Sequence, residues 1–62
     1  MFSFIRRDKK EQVLICVNRW SEPDYITAPE GFEKAEVIFG HLPENNIIKV
    51  DALGFTILKA TN

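Results

Sequence analysis

The stretch that decides the fold is VLICVNRW, residues 13–20. Read as a strand, it is apolar on both faces, because alternate side chains point to opposite sides. One face carries Val13, Ile15 and Val17, and the other carries Leu14, Cys16 and Trp20. A chain of 62 residues has a small interior, so few of its strands are buried on both sides. We therefore expect this strand either at the centre of a small sandwich or against a larger body.

Length and composition limit the chain to one small domain with few means of stabilisation. Its 62 residues fit a single domain, and a domain of this size buries only about 60% of its unfolded surface. Cys16 is the one cysteine and His41 the one histidine. The chain therefore has neither a disulfide network nor a Cys/His set for a structural zinc. We expect such a domain to gain stability from a partner surface.

Charge and hydrophobicity argue against two classes of partner. The formal net charge is −1, whereas a nucleic-acid-binding domain normally has a basic face. The basic cluster at residues 6–10 is interrupted by Asp8 and lies where a hairpin turn is expected. No apolar run reaches the length of about 20 residues that a membrane span needs, and the N-terminus lacks a signal-peptide pattern. We expect no nucleic-acid or membrane partner, and the lone strand cysteine favours the cytoplasm.

The pattern of apolar runs and turn residues predicts an all-β chain. Short runs rich in β-branched and aromatic residues alternate with turn residues at intervals of about 8–12 residues, as in sandwiches and small barrels. The predicted strands are residues 2–6, 12–20, 25–28, 34–39, 47–50 and 55–60. We expect a small antiparallel β-sandwich, Greek-key-like, with about six strands.

Residues 34–39 fit two structures. As a strand, the segment places Ala35, Val37 and Phe39 inward. As a helix started by Pro29, it forms an apolar stripe. That stripe would consist of Phe32, Ala35, Phe39 and Leu42. The β-rich run at residues 37–39 favours the strand, and a helix would make the chain α+β.

No residue pattern indicates catalysis, a cofactor or a metal. His41 lies in a loop beside Glu44, a pairing typical of surfaces and not of a general base. Cys16 lies inside a strand, where burial makes a thiol inert. The acidic residues lie in turns or on polar faces without the apolar surroundings that raise a catalytic carboxyl pKa, and the three glycines are scattered. We expect no catalytic, cofactor-binding or metal-binding residue.

Two aromatic side chains are candidates for contact with a partner. Trp20 and Tyr25 flank the turn at residues 21–24. Aromatic residues with a polar group are enriched at protein interfaces. We expect Trp20 and Tyr25 to pack on a neighbouring domain, with core packing and stacking on a sugar ring as the alternatives.

The order of strands and turns resembles a known domain. FIRR at residues 4–7 leads through a charged turn to VLICVNRW, which contains a strand-end Asn18. A turn with serine and acidic residues, the segment TAPEG at 27–31, a Val/Ile-rich strand and two closing strands follow. This order resembles the C-terminal domain of alpha-amylase-family glycoside hydrolases, of the neopullulanase, cyclomaltodextrinase and oligo-1,6-glucosidase type. Two departures are the sequence DALG at 51–54, where the family usually has a proline, and the family's additional strand before Phe2.

The resemblance implies a non-catalytic accessory domain over residues 1–62, without the catalytic barrel. In that family the β-sandwich packs on and stabilises a (β/α)8 barrel, which carries the catalytic carboxylates. The implied partner is this barrel within the same parent enzyme, and the implied role of Asn18 is structural. The alternatives are a carbohydrate-binding module that holds an alpha-glucan with Trp20 and Tyr25, and a free-standing protein-interaction domain. An open sheet edge would also allow dimerisation by edge strands.

Overall fold

A computed structural model describes residues 1–61 and confirms an all-β chain of six strands. The strands are β1 (Phe2–Arg7), β2 (Glu11–Val17), β3 (Asp24–Thr27), β4 (Glu36–Phe39), β5 (Ile47–Val50) and β6 (Phe55–Thr61). The segment that fitted two structures contains strand β4, so the helical alternative is wrong. The β-branched and aromatic residues at 37–39 explain the outcome, because such side chains favour a pleated surface.

The strands form two antiparallel sheets that enclose one core. The larger sheet has the order β1-β2-β6-β4, and the smaller sheet pairs β3 with β5. From β2 onward each successive strand belongs to the other sheet, which ties the two layers together. The buried apolar residues come from both sheets and from the loop at 28–35: Leu14, Cys16, Ala28, Phe32, Ala35, Ile48, Val50, Leu58 and Ala60. The architecture is that of a small β-sandwich.

Strand β2 lies between β1 and β6 in the larger sheet, and one of its two apolar faces points into the core. Leu14 and Cys16 are buried in the core. The strand ends at Val17, however, and not at Trp20. The placement of Trp20 on the face of Leu14 was therefore wrong, because the chain turns at Asn18 and leaves Trp20 65% exposed.

Strand β4 contains an irregularity that changes which side Phe39 occupies. Val37 pairs with Leu58, but Phe39 pairs with the adjacent Ile57, so the register shifts by one residue at Ile38. A bulge of this kind reverses the facing of the residues that follow it. Val37 packs against the core as predicted. Phe39 is 53% exposed, so its predicted inward position was wrong.

Gly40 closes β4 against β6. Its φ is +102°, a conformation that side chains rarely adopt. A Cβ atom at this position would lie 2.5 Å from Oγ1 of Thr56 and 3.0 Å from its Cα. Only glycine fits this approach, which fixes the end of β4 just after Phe39.

The hairpin between β1 and β2 is held by Asp8. Its Oδ1 accepts hydrogen bonds from the backbone N–H groups of Lys10 and Glu11, each at 2.8 Å. These bonds lower the pKa of the Asp8 carboxyl below its usual value. The basic cluster around Asp8 therefore forms a solvated turn, as the sequence indicated.

Candidate functional site

The side of the larger sheet that points away from the core forms a continuous surface, which we call the outer face. The pairing registers arrange its side chains in three rows across the sheet. The first row is Phe2, Val17 and Phe55; the second is Phe4, Ile15, Ile57 and Phe39; the third is Arg6, Val13, Lys59 and Glu36. The first two rows are entirely apolar, whereas the third row is charged at both ends.

The outer face leaves large apolar side chains in water. Phe2 is 61% exposed, Phe4 42%, Phe39 53% and Phe55 43%. In an antiparallel sandwich the face turned away from the core is normally polar. Contiguous apolar surface on a small protein marks a site of interaction with another molecule. The outer face is therefore the strongest candidate site on this domain.

The four phenylalanines form two pairs at opposite sides of the outer face. The rings of Phe2 and Phe4 on β1 lie 5.5 Å apart with an interplanar angle of 52°. The rings of Phe39 and Phe55 are stacked, with centroids 4.4 Å apart and an interplanar angle of 19°. The bulge in β4 creates the second pair, because it turns Phe39 outward beside β6. Between the pairs run the shorter aliphatic side chains of β2.

Charged groups bound the outer face at one end. Nζ of Lys59 lies 3.7 Å from Oε1 of Glu11. Arg6, at the edge of the third row, is exposed on the adjoining strand β1. A polar rim beside an apolar centre is the usual anatomy of a protein–protein contact. It would also fix how a partner is oriented.

Asn18 is buried and joins two turns at the apolar end of the sheet. Its Nδ2 donates to the backbone oxygens of Glu22 at 2.8 Å, Val50 at 3.3 Å and Asp51 at 3.2 Å. Its Oδ1 accepts a hydrogen bond from the N–H of Trp20 at 2.9 Å. All these partners are backbone groups of the chain itself. The side chain thus holds the turn after β2 against the turn after β5, and leaves no group directed at a ligand.

Trp20 and Tyr25 are both exposed, at 65% and 58%, but they line different depressions of the surface. Trp20 shares one with Met1, Phe2 and Arg19. Tyr25 lies in another, whose lining includes His41 and Lys49. The structure therefore does not bring the two rings together in one depression. Trp20 instead adjoins Phe2 and extends the apolar end of the outer face.

His41 and Cys16, the two residues weighed for catalysis from the sequence, lie in different surroundings. Nε2 of His41 lies 2.8 Å from Oδ1 of Asp51, so its partner is Asp51 and not its sequence neighbour Glu44. Both side chains are solvent-exposed. Cys16 is buried, and burial raises the pKa of its thiol. Within residues 1–61, no three His, Cys, Asp or Glu side chains are grouped to hold a metal ion, and no helix has the length and hydrophobicity to cross a bilayer.

Sequence reasoning named Trp20 and Tyr25 as contact candidates and missed the four phenylalanines. The signal was present in the alternation of β1 and β6, where Phe2, Phe4 and Phe55 share the parity of the outer face. Phe39 carried no such signal, since the bulge that exposes it leaves no local mark in the sequence.

Comparison with known proteins does not indicate what binds the outer face. No protein-family model, no curated protein and no solved structure matches the chain. The occupant of the outer face is therefore proposed from the chemistry of the face and from the strand order.

Proposed function

We propose that this domain is a non-catalytic packing module whose outer face is covered by a larger domain. The observation that supports this proposal is the pair of apolar rows with four exposed phenylalanines. A sandwich that functioned alone would expose polar groups there. Burial of apolar area at roughly 25 cal/mol per Å² is the main source of affinity available to such a face.

The proposed partner is the catalytic (β/α)8 barrel of a starch- or maltooligosaccharide-degrading enzyme of the alpha-amylase family. The order of strands and turns and the pattern from Arg6 to Asn18 support this choice by resemblance. The inward face of β2 is buried and its outward face is apolar. This suits a larger sheet that lies between the smaller sheet and a barrel. The role of the domain would be to stabilise and shield the barrel, not to perform chemistry.

Mixing the chain with a barrel tests the proposal. The probe is the catalytic barrel of a neopullulanase-type enzyme without its own C-terminal domain, and the readout is the melting temperature of the barrel. We expect the wild-type chain to raise it. Phe39→Lys removes a ring from the outer face and should abolish the effect. The matched control is Tyr25→Lys, an equally exposed aromatic on the smaller sheet, which should preserve it.

A second candidate function, an alpha-glucan-binding module, is supported by the exposure of Trp20 and Tyr25. The discriminating measurement is an amide NMR titration of the chain with a linear maltooligosaccharide. Saturable shifts around these two residues would favour sugar binding over the packing role. A spectrum that ignores the sugar, together with no effect on the barrel, would favour an interaction domain for an unrelated protein.

A further inference from the structure

The geometry of strand β1 points to a second contact, which is an alternative to barrel packing on the outer face: we propose that two copies of this chain pair through β1, with Phe4 facing Phe4 on the two-fold axis. β1 is an edge of the larger sheet, bonded to β2 on one side. Among residues 1–61, no strand occupies its other side. An edge of this kind is a template for another strand.

The ladder determines which backbone groups of β1 are directed outward. The N–H of Asp8 bonds to the carbonyl of Glu11 at 3.0 Å. Antiparallel pairs alternate between bonded and non-bonded, so the register continues with bonded pairs at Arg6, Phe4 and Phe2. The N–H and C=O groups of the intervening Ser3, Ile5 and Arg7 therefore point away from β2.

The hydrogen bonds between β2 and β6 confirm this assignment of inward and outward backbone groups. The N–H of Asn18 bonds to the carbonyl of Gly54 at 2.8 Å. By the same alternation, Cys16 and Leu14 direct their backbone groups to β6. The odd-numbered residues of β2 therefore bond β1, which agrees with the alternation that starts from the hydrogen bond between Asp8 and Glu11.

The two edges of the larger sheet differ in how they are protected. β1 has six residues in unbroken register with β2 and contains neither proline nor glycine. β4 has four residues, a bulge, and Gly40 at its end. Short and bulged edges resist further pairing, whereas long regular edges permit it. The edge suited to a second copy is therefore β1.

Two antiparallel registers pair all the outward-facing residues of β1, one centred on Ile5 and one centred on Phe4. The Ile5 register faces Phe2 with Asp8, whereas the Phe4 register brings two apolar rings together, so we choose the Phe4 register. With Phe4 opposite Phe4 of the second copy, Ser3 and Ile5 exchange hydrogen bonds with Ile5 and Ser3, and Phe2 faces Arg6. Side chains of non-bonded pairs approach most closely, which brings the two Phe4 rings together and places each guanidinium beside an aromatic ring. A shift that centres the pair on Arg6 would oppose two guanidinium groups. Centring it on Ser3 would leave Arg6 and Arg7 without a strand beside them.

Charge also favours this register. It places Arg7 of each copy opposite Met1 of the other. The ammonium group of Met1 lies 4.0 Å from Oδ2 of Asp24, and Glu22 lies in the same acidic turn. The basic hairpin of one copy therefore approaches a region of its partner in which the carboxylates of Glu22 and Asp24 outnumber the Met1 ammonium group, on both sides of the axis. Exposed ion pairs of this kind weaken as salt is added.

Sedimentation velocity of the full chain, from micromolar to near-millimolar concentration, tests the proposal. We expect a monomer–dimer equilibrium that shifts toward monomer at high salt. Ser3→Pro removes an outward N–H without removing a bond to β2, and should weaken dimerisation by more than about tenfold. The control Ser3→Ala keeps this N–H and should dimerise like the wild type. A wild type that stays monomeric, or equal association of both variants, would overturn the proposal.

Two further measurements keep the outcome decisive. If Ser3→Pro does not fold, amide exchange of the wild type replaces it. The N–H groups of Ser3, Ile5 and Arg7 should then exchange more slowly as concentration rises, and concentration-independent exchange would refute the dimer. Phe39→Lys lies on the far side of the outer face and should leave dimerisation unchanged, so failure of barrel packing and failure of dimerisation are separable.

Discussion

The two sheets of this sandwich turn very different faces to solvent. The smaller sheet presents Tyr25 opposite Lys49 and Thr27 opposite Ile47, a mixture in which polar groups are always adjacent to apolar ones. The larger sheet presents two rows without a polar side chain. Both faces belong to the same small domain. The apolar character of the outer face is therefore not a general consequence of small size, and is specific to the side on which we propose a partner.

The largest expected effect separates the core side of β2 from its outer side. Leu14→Ala removes a buried side chain and should cost about 3–4 kcal/mol of unfolding free energy. The neighbouring Ile15→Ala, on the outer face, should cost about 1 kcal/mol in the isolated chain. Urea unfolding followed by Trp20 fluorescence measures both. A Leu14→Ala chain that is already unfolded without urea would also agree with this prediction. If Leu14→Ala and Ile15→Ala lowered the unfolding free energy equally, the outer face would be as buried as the core, and the prediction would be wrong.

The next effect tests the close approach of β4 to β6 at Gly40. Gly40→Ala combines a strained φ with a clash against Thr56 and should cost about 2–3 kcal/mol. Gly31→Ala serves as the control. Its φ of +93° is also strained, but the nearest atom to its Cβ is 3.5 Å away. If both variants lose the same stability, the close approach of β4 to β6 contributes nothing.

A somewhat smaller loss is expected at the apolar end of the sheet. Asn18→Ala leaves the carbonyls of Val50 and Asp51 without their side-chain donor and should cost about 2 kcal/mol. Asn18→Asp keeps the acceptor for the N–H of Trp20 but loses the donor, so we expect it to be at least as destabilising. Thermal unfolding by circular dichroism compares the two. Wild-type stability in either variant would contradict the assigned contacts.

The smallest effect concerns an exposed leucine that lies outside the outer face. Leu53 is exposed with a φ of +53°, a conformation that asparagine tolerates better. Leu53→Asn should therefore stabilise the chain by about 0.5–1 kcal/mol. Leu42→Asn, an exposed leucine without positive φ, should change the stability by less than about 0.5 kcal/mol. The same urea titration decides between them.

Much of the fold could be predicted from the sequence, because period-two alternation and turn residues are local signals. The two apolar faces of β2 were predicted from residues 13–17. The turn at Asn45 and Asn46 was also predicted, and both residues have a left-handed backbone conformation, with φ of 49° and 66°. The exposure of Phe39 could not be predicted. It depends on a register shift against β6, which is a property of the pairing and not of the strand. The end of β2 at Val17 likewise depends on the distant carbonyls that Asn18 binds.

The most direct test of the outer face as a docking surface is an amide NMR titration of the full chain with the same neopullulanase-type barrel. Our account predicts saturable shifts along β2 and β6 and at Phe39, with Tyr25 and Lys49 unaffected. It also predicts that Phe39→Lys weakens the shifts. A spectrum unchanged by the barrel, or shifts confined to the smaller sheet, would contradict it.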